Sequence, residues 1–93
     1  MHVGTLIVTV YLGEGGSLKE KRHVIKSLVE TTRQKFNVSI AEIADLDLWQ
    51  KATLGVACVS NEASHVNRVL DKVLDNLESN PAISVGEVEM EML

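Results

Sequence analysis

Lys19, Arg22, Lys26 and Arg33 recur at spacings of three, four and seven. In a helix that spacing sets cations along one exposed side, where they can meet phosphate oxygens and hold a protein in register on a nucleic acid. The stretch from 17 to 35 also carries Lys21 and Lys35, opposed only by Glu20 and Glu30. Six of the nine basic residues therefore lie in one element with a local charge of +4, and the rest of the chain carries three basic against eleven acidic residues, or -8. The net charge of -4 and pI near 5.2 exclude wholesale coating of nucleic acid, but the polarisation leaves one directed basic face. The bland alternative is a solvated helix face whose last-turn cations complement the helix dipole.

A second cluster is Asp45-Leu46-Asp47-Leu48-Trp49-Gln50. Two carboxylates in a tight turn fall short of the oxygen set a hard cation needs. Trp49 offers a stacking surface and Gln50 an amide, so with Asp47 they are candidates for a specific partner contact. A lone Trp more often closes the end of a core. Gly13-Glu14-Gly15-Gly16 precedes a helix start, which attracts anions, but matches neither glycine-rich phosphate motif in spacing. His2, His23 and His65 fall in different elements without a paired spacing, so no metal is expected. Cys58, the one cysteine, excludes an intrachain disulfide and reads as a buried structural thiol. No acid–base pair or nucleophile stands out; neither an enzyme nor a cofactor is expected.

The elements that must position these residues follow from periodicity. Residues 2–12 alternate, with Leu6, Val8, Val10 and Leu12 on one side and Ile7 and Tyr11 on the other, a strand central in its sheet. Gly4 adds nothing to the apolar side. Ser17 and Glu20 form a capping box for a helix over about 18–35, with Asn37 as a left-handed exit. Strands follow at 38–44 and 51–59 as an antiparallel hairpin. In the first, Glu42 shares a face with Val38, Ile40 and Ala44; in the second, Leu54, Val56 and Cys58 share one. Ser60 or Asn61 caps a second helix that ends near Ser79-Asn80, before Pro81. In the last strand, 83–92, Val88, Met90 and Met92 alternate with Glu87, Glu89 and Glu91, a guarded sheet edge. Aromatics are 3% of the chain, so the core is aliphatic.

The order β-α-β-β-α-β with two amphipathic helices predicts an α+β, ferredoxin-like sandwich: one domain over 1–93, with a four-stranded antiparallel sheet of order 4-1-3-2 and both helices on one face. Acylphosphatase shares this topology but needs an Arg in the first loop and an Asn on the third strand, both missing here. RNA-binding RRM domains stack bases on aromatics of strands one and three, where this chain has Tyr11 alone. The face away from the helices carries Ile7, Tyr11, Ala57 and Val59, which suggests a homodimer through that open face or an edge strand. There is no secretory leader pattern and no apolar run long enough to span a bilayer, so the expected place is the cytoplasm, without membrane contact.

Ser17-Leu18-Lys19-Glu20-Lys21-Arg22, Phe36-Asn37-Val38-Ser39, Ala41-Glu42, Asp47-Leu48-Trp49-Gln50, Leu54-Gly55-Val56-Ala57 and Val59-Ser60-Asn61 resemble the YlxP-like family, bacterial proteins of unknown function. The resemblance runs over nearly the whole chain. It implies a ferredoxin-like fold. It also implies a gene neighbourhood with translation initiation factor two and ribosome-binding factor A, and so work near the small ribosomal subunit. It supplies no catalytic residues. The leading expectation is a non-enzymatic accessory factor of translation or small-subunit assembly. It would touch rRNA or a ribosome-bound partner through Lys19, Lys21, Arg22, Lys26 and Arg33, with Asp47, Trp49 and Gln50 adding contacts. The alternative is a homodimeric small-molecule binding or regulatory module.

Overall fold

A computed structural model describes residues 1–13 and 16–93. The elements run β1 (His2–Leu12), α1 (Leu18–Lys35), β2 (Ser39–Ala44), β3 (Lys51–Ser60), α2 (Ala63–Glu78) and β4 (Ile83–Met92). All neighbouring strands are antiparallel in the order β2-β3-β1-β4, which is the expected 4-1-3-2 order viewed from its other edge. The fold is the α+β, ferredoxin-like arrangement.

Alternation makes the core. Leu6, Val8 and Val10 of β1 and Ala52, Leu54, Val56 and Cys58 of β3 point to the helices and are buried there. Val66, Leu70, Val73 and Leu77 of α2, at spacings of three and four, close over them with no exposed surface. Gly4 has a part the alternation did not reveal. A Cβ at Gly4 would stand 2.5 Å from Val66 Cγ1 and 2.9 Å from Leu70 Cδ1, so α2 rests directly on β1 because that residue has no side chain.

Three local expectations are corrected, and a further irregularity adds to them. α1 ends on Phe36 in an extended conformation, and Asn37 is not left-handed; the one non-glycine residue with positive φ among those described is Asp45, at 64°. Glu62 rather than Ser60 or Asn61 is the N-cap of α2, and the Ser60 hydroxyl instead accepts the Glu62 N–H at 3.3 Å. A bulge between Glu42 and Ala44 pairs Ala44 with Thr53 and takes it off the face of Ile40. A second irregularity, where Val8 pairs with Val88 but Val10 with Val85, turns Ile83 and Val85 inward although their parity differs from that of Met90.

Candidate functional site

The helix that carries the cations begins at Ser17, whose hydroxyl accepts the Glu20 N–H at 3.2 Å. The glycine segment ahead of it falls partly on residues 14–15, outside the described residues. The inner stripe of α1 is Lys21, Ile25, Leu28 and Thr32, all buried. Lys21 thus occupies an apolar position in the helical repeat, three residues after Leu18 and four before Ile25.

This corrects the expectation that Lys21 meets a phosphate. Its side chain has no exposed surface. Nζ donates to the Asp45 carbonyl at 2.6 Å and the Leu46 carbonyl at 3.4 Å. It also lies 2.8 Å from Glu42 Oε2, an ion pair without hydrogen-bond alignment. A charge taken out of water needs such partners. Glu42 is at the expected inward position on β2, and this partnership accounts for an acid among Val38 and Ile40. Asp45 is held on its other side by Thr53, whose hydroxyl donates to Oδ2 at 2.7 Å, and Lys51 stands 3.7 Å from the same oxygen. The left-handed Asp45 is therefore fixed by three residues from two elements, α1 and β3, and with it the start of loop 45–50.

That loop brings Trp49 to the first turn of α1. Trp49 is half-buried in a small hollow with Gly16, Ser17, Glu20, Lys21, Val24 and Leu12, and its Cε3 lies 3.7 Å from where a Cβ on Gly16 would stand. Trp49 thus packs at the start of α1 beside Leu12 and Val24, outside the main core cluster, and stays partly exposed. Gln50 accepts the Leu12 N–H through its carbonyl at 2.8 Å and leaves its side chain exposed, as Asp47 does.

Lys19, Arg22 and Lys26 are exposed, and among the described residues none is in an ion pair. Together with His23 they border a shallow groove along the first half of α1. Arg33 sits apart: its guanidinium donates to the Ile40 carbonyl at 2.9 Å, capping the free edge of β2. Lys35 donates to Asn76 Oδ1 of α2 at 3.0 Å. The basic residues of the last turn are Arg33 and Lys35, whereas Lys19 lies in the first turn, where the helix dipole disfavours a cation.

Burial pushes the Cys58 thiol above its ordinary range, which makes it a poor nucleophile. Among the described residues no group of three or more His, Cys, Asp or Glu could hold a metal ion. No helix there is long and apolar enough to cross a membrane.

Two comparisons with known proteins bear on this geometry. The family described as "Protein of unknown function (DUF503)" matches residues 3–90. An uncharacterised protein of Bacillus subtilis, YlxP, is 43% identical over 70 residues, which cover 75% of this chain and 76% of that protein.

Proposed function

The chain belongs to the DUF503 family of unknown function, and from that premise we propose that it is a non-enzymatic accessory factor of translation or small-subunit assembly. It works in the cytoplasm and touches rRNA, or a partner bound to the ribosome, through the outer face of α1. The observation that carries the reading is the exposed run Lys19, Arg22 and Lys26, in no ion pair among the described residues, on an otherwise acidic chain. Cations at these spacings suit phosphates and not base edges. The gene neighbourhood implied by the family resemblance agrees with this choice of target. Arg33 contributes its charge from the β2 edge. Asp47 and Gln50 supply polar groups on the loop that Lys21 anchors.

The test is binding to isolated small ribosomal subunits across a salt series. The expected log–log slope is near -2 to -3, about 0.7–0.9 per phosphate contact for three contacts. In Lys19→Glu/Arg22→Glu, association is lost while the fold remains intact. A slope near zero, or unchanged binding by the variant, refutes the reading.

The alternative, a homodimeric module for a small ligand, draws on a trough of about 540 Å³ on the open face of the sheet. A metabolite that raises Tm, with contacts in that trough, would favour it.

A further inference from the structure

The face of the sheet opposite the helices is open, and its residues are arranged in rows by the strand register. One row reads Glu89, Ile7, Gly55, Ala41 from β4 to β2. The next reads Glu91, Thr5, Ala57, Ser39. The trough lies along these rows, floored by small residues, with exposed Ile7 and Ile43 rising from it and Arg33 reaching its β2 rim. Acid thus lies at the β4 end of the rows and a cation at the β2 end.

Both sheet edges are guarded. Pairing β4 with another β4 would bring Glu87, Glu89 and Glu91 against their own kind. On β2 the Ile40 carbonyl is already taken by Arg33. The open face has no such guard.

We infer that this face binds a second copy of the chain, face to face, about a two-fold axis that runs parallel to the strands. Such an axis lays β4 of one copy over β2 of the other and β1 over β3. In the Glu89 row, Ile7 then meets the Ile43 side chain that lies over Gly55 of the second copy, 3.0 Å from where a Cβ there would stand. The contact is apolar, between two exposed residues. Glu89 and Glu91 meet the rim where Arg33 stands, at the same level along the strands. A two-fold axis across the strands would instead set the glutamates on each other. The charge pattern therefore selects both the occupant and its orientation.

Four strands spaced about 4.8 Å apart, with β2 shorter than the rest, offer about 600 Å² per copy. That is under the roughly 800 Å² per partner of a standard stable interface, so the dimer is weak and exchanges rapidly. It leaves Lys19, Arg22 and Lys26 of α1 on the outside of each copy, while Arg33 faces the partner at the rim.

Sedimentation equilibrium of the wild type from micromolar to millimolar concentration tests this. A monomer–dimer equilibrium is expected, with Kd in the micromolar range or above. Ala57→Arg, which fills the trough without touching the core, should give a monomer with unchanged Tm. Glu89→Arg should weaken the dimer about tenfold, and Arg33→Glu likewise, while the double swap restores it. Three outcomes overturn the inference: a wild type that stays monomeric at millimolar concentration, a dimer that survives Ala57→Arg, and a monomer whose open-face amides are protected only by an added cationic peptide or RNA strand.

Discussion

Lys19 and Lys21 stand two residues apart on one helix and do opposite work. Lys21 is wholly buried against Glu42 and two carbonyls; Lys19 is exposed, and among the described residues it has no ionic partner. Phase explains the difference. Lys21 falls on the stripe of Ile25, Leu28 and Thr32 that meets the sheet, and Lys19 falls on the far side with Arg22 and Lys26. One helix therefore uses the same residue type as a structural anchor on its inner face and offers it to solvent on its outer face. A count of cations along the chain treats the two as equal, whereas the packing separates them.

The strongest way to break this contrast is Lys21→Ala. It leaves the Glu42 carboxylate without its cation and removes the anchor of Asp45 and Leu46, so a loss of about 3 kcal/mol in denaturant unfolding is expected. In Lys21→Met/Glu42→Leu both charges are replaced by apolar groups of similar size, and most of that loss should be recovered. A double variant as unstable as the single one would show that Lys21 acts through the loop carbonyls and not through Glu42.

The same contrast shows what could be seen beforehand. The order of elements, the sheet order and the inner residues of β1 and β3 follow from period-two and period-3.6 patterns, because each of those elements has one buried face. Loop 45–50 was less legible. Its course depends on Lys21, 24 residues away from Asp45 in sequence, and on a left-handed φ at an aspartate, which no repeat encodes. A signal was present all the same: Lys21 breaks the apolar stripe of α1, and Glu42 breaks the inward face of β2. Two opposite charges, each at an apolar position on neighbouring elements, point to a buried pair. Gly4 was missed for a related reason, since a residue without a side chain leaves no mark in a hydrophobic pattern. The exit from α1 was misjudged because Phe36 ends the helix in extended backbone, which asks nothing of Asn37.

Within the inner face, Thr32 sharpens the comparison. It is fully buried like Lys21, but its hydroxyl has no hydrogen-bond partner among the described residues. A buried polar group that is satisfied costs stability when removed; one that is unsatisfied should do the reverse. Thr32→Val keeps the shape and deletes the hydroxyl. A gain of about 1 kcal/mol is expected, which for a chain of this size raises Tm by about 5 °C. A loss of stability would mean that water or a shifted rotamer serves this hydroxyl, and the inner face would then be fully satisfied.

The outer face should give the smallest stability effect, and its sign matters more than its size. Lys19 and Arg22 are three residues apart, and Arg22 and Lys26 four, so like charges adjoin along the helix. Lys19 also lies in the first turn, at the positive end of the dipole. A face that served only to be solvated would gain from acids at these places. Lys19→Gln/Arg22→Gln relieves the repulsion, and a Tm rise of about 2 °C is expected. If the same variant loses affinity for small subunits, the cations are held there against the helix's own preference and for the sake of a phosphate-bearing partner. A drop in Tm would point the other way, to cations that stabilise the helix through contacts of their own, and the outer face would join the inner one as a structural feature.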